Sequence, residues 1–119
     1  MTKDDYYAII QIIIPYGGKY MKVSSTKSGN TCTLAVEGRI DTLTAPALEK
    51  EVTAQLPGCE KMIFDFSSVE YISSAGLRVL VFAQQELASD GEVVLKGLNA
   101  NIAKMMTMTG LNNIFKIEK

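Results

Sequence analysis

From Met21 onward, β-type and helix-type segments alternate in the order β-β-α-β-α-β-α-β, and this order leaves few folds open. It predicts an α/β fold: one domain, with a mixed β-sheet of four to five strands flanked by helices. Met21 to Ser25 reads as a short strand, and Ser28-Gly29-Asn30 as a turn. Thr31 to Glu37 alternates Cys32, Leu34 and Val36 onto one face, and Gly38 is expected to end it. Thr42 or Thr44 can cap the next helix, with Pro46 in its first turn, where no amide donor is needed. Leu48, Val52 and Leu56 follow at spacing four before Pro57-Gly58 closes the helix. Lys61 to Phe66 is a nearly continuous apolar run, as expected of an interior strand covered on both faces. A loop is expected over Ser67 to Ser73, then a helix from Ser74 to Leu87 with Leu80, Ala83 and Leu87 on one stripe. Ser89-Asp90-Gly91 is a turn and Glu92 to Lys96 a strand. Asn99 to Met108 reads as a helix capped by Gly110, and Ile114 to Ile117 as the last strand. Met105, Met106 and Met108 read as core filler.

Residues 1–20 form an N-terminal extension. Tyr6 to Ile14 is the most apolar stretch of the chain, and its isoleucines and tyrosines favour a strand. At nine residues it is too short for a membrane-spanning helix. Asp4 and Asp5 precede it and no small-residue cleavage pattern follows, which argues against a secretory signal. Two readings stand: an added edge strand or dimer contact, or a natural start at Met21 with upstream sequence included. The mass of the intact native protein separates them.

Composition narrows the chemistry. The chain has no histidine, which removes Ser-His-Asp and Cys-His catalysis and most zinc sites. Its two cysteines, Cys32 and Cys59, form no CxxC pair, so neither a zinc knuckle nor a thioredoxin-like motif is present. Buried free thiols in a reducing cytoplasm are expected rather than a disulfide. Twelve basic against thirteen acidic residues give a net charge of -1, with no electrostatic footprint for nucleic acid. No metal site is expected.

The most informative stretch runs from Asp65 to Leu77, Asp-Phe-Ser-Ser-Val-Glu-Tyr-Ile-Ser-Ser-Ala-Gly-Leu. Val69 and Ile72 should pin the loop to the core, and Ser73 or Ser74 should cap the helix by accepting from its first amides. Gly76 would let the helix start approach a neighbouring backbone. Both serines then lie at the carboxyl end of a central strand and at a positive helix terminus, where α/β sheets tend to bind ligands. Taken alone, a serine before a helix is an ordinary N-cap. The pattern is not the GxSxG elbow, and no histidine could activate a hydroxyl, so a hydrolase is excluded on chemistry. No Gly-rich phosphate loop supports nucleotide binding.

Together with Gly38-Arg39-Ile40-Asp41 and Met108-Thr109-Gly110-Leu111, this stretch resembles the bacterial anti-sigma factor antagonist family, a STAS domain, over residues 21–119. The resemblance implies a switch, not an enzyme. The unphosphorylated form binds an anti-sigma factor that is also a serine kinase and frees a sigma factor. The kinase spends its own ATP to phosphorylate one serine, which ends binding, and a metal-dependent serine phosphatase reverses this. The chain itself is expected to need no cofactor, to contact no nucleic acid directly and to span no membrane. The family's loop commonly reads Asp-Ser-Ser/Thr-Gly-Leu, which puts the acceptor on Ser74, the Asp position on Ser73 and the next on Ala75. Serine in place of Asp at 73 removes a charge beside the acceptor and makes Ser73 the alternative acceptor. Asp41 matches an acidic residue near the acceptor, and it also suits a cap for the helix near Thr44. The implied partner surface is Asp41, Ser73, Ser74, Ala75, Gly76 and Arg78, with Arg78 equally readable as a solvated helix position. STAS-like domains also serve as unphosphorylated docking subunits of membrane transport complexes, which is the competing reading.

Overall fold

The computed structural model describes residues 10–16, 19–87 and 90–118. Its elements are β1 (Ile10–Tyr16), β2 (Lys19–Ser28), β3 (Thr31–Ile40), α1 (Ala45–Gln55), β4 (Lys61–Ile72), α2 (Ser74–Glu86), β5 (Glu92–Lys96), α3 (Ala100–Thr109) and β6 (Lys116–Glu118), with a 3-10 turn at Leu111–Asn113. From β2 onward the order is the expected one, with five strands; β1 adds a sixth beside β2. Tyr6 to Ile9 of the apolar run and Ser89 of the expected turn lie outside the described residues.

The six strands lie side by side in sequence order. The β1–β2 and β2–β3 pairs are antiparallel, and β3–β4, β4–β5 and β5–β6 are parallel. Each parallel step moves one strand onward in the same direction, so right-handed crossovers place all three helices on one face. The burial pattern follows. In β3, Cys32, Leu34, Val36, Gly38 and Ile40 are buried, while Thr31, Thr33, Glu37 and Arg39 on the opposite face are only partly covered. Between sheet and helices lies a single core that includes Met21, Leu34, Leu48, Val52, Phe64, Phe66, Leu80, Leu95, Ile102 and Met106. The Phe64 and Phe66 rings meet edge to face, 5.9 Å between centroids.

Several elements depart from their sequence reading, each for a local reason. β3 does not end at Gly38; it continues to Ile40. Gly38 sits at φ 99°, and a Cβ there would overlap the Tyr20 carbonyl oxygen, so glycine permits the close pass between β2 and β3. β4 is not covered on both faces, because Met62, Phe64 and Phe66 are buried while Lys61, Ile63 and Asp65 are only partly so. Nor is Ser67–Ser73 a loop: β4 runs on to Ile72. The pairing with β3 passes from Ala35↔Asp65 to Glu37↔Ser68, then from Gly38↔Val69 to Arg39↔Tyr71, so β4 carries two extra residues, one at each bulge. Runs of polar residues read as loop because bulges break the alternation. Val69 and Ile72 are buried, as expected of the residues that pin this segment. At the far end, Met108 is 75 % exposed, unlike the buried Met106, because it lies on the outer side of α3. Ile114 is also exposed, and the last strand starts later than expected, at Lys116. Gly110 caps α3 in the left-handed conformation, as expected.

Candidate functional site

The parallel pair β3–β4 assembles the site. Ile40 and Ile72 are register partners, so the residues that follow them, Asp41 and Ser73, leave the sheet side by side. The Ser73 amide donates to the Ile40 carbonyl at 2.8 Å, closing the two strand ends together. Helix α2 then begins at Ser74, directly above β4.

Ser73 occupies the N-cap position in extended conformation (φ −93°, ψ 176°), and its carbonyl accepts from the Leu77 amide at 3.0 Å. Its hydroxyl makes no capping hydrogen bond. The expectation that a serine oxygen satisfies the first amides of this helix is therefore corrected. Instead, Ser73 Oγ is buried and, among the described residues, has no hydrogen-bond partner. Ser74, one residue on, is exposed. The helix thus starts with amides that no side chain caps, next to an exposed hydroxyl.

Around Ser74 the exposure alternates with the helix. Ala75 is half-buried, Gly76 and Leu77 are buried, and Arg78 is exposed. A Cβ on Gly76 would stand 2.5 Å from Ile72 Cγ1 and 2.6 Å from Ile40 Cγ2. The close approach that requires glycine is thus to two isoleucine side chains of the strand ends, not to a backbone as expected. It lets α2 sit low on the sheet and fixes the height at which Ser74 emerges.

Asp41 builds the facing turn. Its Oδ1 accepts from the Leu43 amide at 2.9 Å and the Thr44 amide at 3.1 Å. Thr44 is the N-cap residue of α1 but makes no standard side-chain cap. Its hydroxyl donates to the Arg39 carbonyl at 2.8 Å and accepts from the Asp41 amide at 2.8 Å. The Ala45 amide returns to the Asp41 carbonyl. The carboxylate that the resemblance implies near the acceptor is thus also what shapes the β3–α1 turn. A groove of about 190 Å³ runs between the two helix starts, lined by Thr42, Pro46 and Glu49 on one side and Ala75, Arg78 and Val79 on the other.

Two features at this end were not singled out in the sequence. Leu43, at the tip of the Asp41 turn, is 54 % exposed. Arg39 lies over the Tyr71 ring, 4.4 Å from its centroid, on the sheet face away from the helices. Strand register alone brings Arg39 and Tyr71 together, so no local pattern could have paired them. Asn99 supports the site from below: its side chain accepts from the Ile102 amide at 2.9 Å, capping α3, and donates to the Val69 carbonyl at 3.1 Å. Among the described residues no cluster of His, Cys, Asp or Glu could hold a metal ion, and no helix is long and apolar enough to cross a membrane.

Residues 22–119 match the family model of the STAS domain. The chain is 30% identical over 99 residues to BtrV of Bordetella bronchiseptica, which carries an anti-sigma factor antagonist name, covering 82% of this chain and 85% of that one. It is 33% identical over 85 residues to the anti-sigma-B factor antagonist of Listeria monocytogenes, covering 70% and 75%. Among solved structures, the fold is similar to the anti-sigma factor antagonist SpoIIAA in its unphosphorylated form, with TM-score 0.72 at 15% identity over 82% of this chain and 88% of that one. Against the phosphorylated form of the Bacillus SpoIIAA the TM-score is 0.66, over 82% and 91%.

Proposed function

Since the chain belongs to the STAS domain family of anti-sigma factor antagonists, we propose that it is a phosphorylation-controlled binding module rather than an enzyme. In its unmodified form it docks on an anti-sigma factor that is also a serine kinase, through the surface around Asp41, Ser73, Ser74, Ala75, Gly76 and Arg78. Phosphorylation of Ser74 by that kinase, with the kinase's own ATP, ends the docking; a serine phosphatase restores it. The exchange takes place in the cytoplasm. That two solved structures of the fold relative SpoIIAA are of phosphorylated and unphosphorylated forms is consistent with a fold that survives the modification.

One observation carries the reading: an exposed hydroxyl at the first position of a helix whose opening amides no side chain caps. A phosphate on Ser74 adds about −1.5 to −2 charges at pH 7. The uncapped amides and the helix dipole stabilise that anion where it forms, so the domain keeps its fold. The partner surface is what meets a bulky anion beside the Asp41 carboxylate. A penalty of about 3 kcal/mol weakens docking roughly a hundredfold. The exposure of Ser74 against the sealed hydroxyl of Ser73 favours Ser74 as the acceptor.

Incubation with the cognate kinase and ATP, followed by phosphosite mapping and calorimetry, tests this. Expected are one phosphate on Ser74, none in Ser74→Ala, and a complex about a hundredfold weaker once modified. Phosphate on Ser73 would overturn the assignment of the acceptor, and equal affinity of both forms would overturn the switch. No incorporation, with transporter components co-purifying, would establish the docking subunit instead.

A further inference from the structure

At the start of helix α2, Ser74 and Arg78 are exposed, while Ala75 between them is half-buried and Gly76 and Leu77 are buried. A spacing of four residues puts Ser74 and Arg78 on one face of the helix, with Cβ atoms about 5–6 Å apart. Helical side chains lean toward the N-terminus, so Arg78 reaches back over the turn that Ser74 opens. No acidic residue stands in that first turn. Among the described residues Arg78 has no ion-pair partner; the ion pair found there joins Lys61 and Glu92, the first residues of β4 and β5, at the other end of the sheet. Of the described residues that line the groove between the two helix starts, Arg78 is the one cation and Glu49, on the α1 side, the one anion.

We infer that Arg78 is the internal receiver of a phosphate on Ser74: in the unmodified domain its guanidinium docks on an acidic side chain of the partner, and in the modified domain it turns back onto the phosphate. The inference rests on the reading of Ser74 as the acceptor. An acid placed four residues before a base is the favourable order along a helix. A phosphate carries more charge than a carboxylate, and its oxygens match the guanidinium fork with two parallel hydrogen bonds. The anion is then held from two sides, by the opening amides of α2 and by Arg78. Modification thereby changes the partner surface twice. It adds an anion beside Asp41, and it takes the cation away from the groove wall. A partner that is acidic where it meets α2 loses a contact as well as meeting repulsion.

Phosphoserine installed genetically at position 74 of the full-length chain tests this without the kinase. Phosphorus NMR at low salt follows the second ionisation of the phosphate, which ordinarily falls at about pH 6. A nearby guanidinium favours the dianion, so the ionisation should lie about 0.5 pH units lower in the parent than in Arg78→Gln. Arg78→Lys should recover part of the difference, since it keeps the charge and loses the fork. Calorimetry with the cognate anti-sigma factor, without ATP, supplies the second arm. Arg78→Gln should weaken the unmodified complex about tenfold and the phosphorylated complex less than about twofold, because the phosphate has already withdrawn the guanidinium. Ionisation at the same pH in the parent and Arg78→Gln, or an equal loss in the two complexes, would overturn the inference. The NMR titration decides whether Arg78 receives the phosphate, and phosphosite mapping with the kinase decides whether Ser74 is the acceptor, so the two readings fail separately.

Discussion

At the scale of single residues, two neighbouring serines have opposite surroundings. Ser73 has its hydroxyl sealed without a partner among the described residues, and Ser74 presents its own to solvent. Ser73→Ala therefore removes an unsatisfied polar atom and breaks no cap. Chemical denaturation should find stability within about 0.5 kcal/mol of the parent, or slightly raised; a loss near 1 kcal/mol would mean that the hydroxyl caps after all. Ser74→Glu should leave the fold intact and weaken partner binding in calorimetry, with Ser74→Ala binding as the parent does. Gly76 is the least replaceable position of the three. Gly76→Ala drives a methyl group into Ile40 and Ile72 and should lower stability by about 1–3 kcal/mol in the same denaturant titration. The sequence made the two serines and the glycine visible because their pattern is local. It could not separate the serines by exposure, since that depends on how low α2 settles on two isoleucines contributed by different strands.

Among the elements, the two helices at the site start by different means. At α3 the cap is a side chain, Asn99, that also grips the Val69 carbonyl across the β4 bulge. Asn99→Ala loses both bonds, and thermal melting should record a loss of about 1–2 kcal/mol. At α2 no side chain performs that task, which is where an added anion gains most. Helices and the β5 strand were legible because an apolar stripe repeats along each, and their ends were marked by Pro46, Gly58 and Gly110. The second half of β4 was not, because two bulges destroy its period-two pattern and serines at the first of them read as a loop. Asp41 was singled out by the family resemblance and was also readable as a cap near Thr44; that its carboxylate accepts from both the Leu43 and the Thr44 amides required the geometry.

For the molecule as a whole, the packed interior among the described side chains begins at Met21. Deleting residues 1–18 should leave cooperative unfolding in place while baring the edge of β2, so sedimentation should show association that grows with concentration. A single mixed sheet with helices packed on it was readable from element order alone; the sequential strand order, and with it one face for all three helices, came from the strand pairing. What order could not reveal is that β4 gains two residues over β3 before both strands deliver their last isoleucine to the core. Each bulge absorbs its own extra residue: past the first, Val69 is again buried opposite Gly38, and past the second, Ile72 is again buried opposite Ile40. Facing is thus restored one residue at a time, so a chain shortened by one residue at either bulge should keep its last isoleucine inward and still incorporate phosphate at the serine that opens α2.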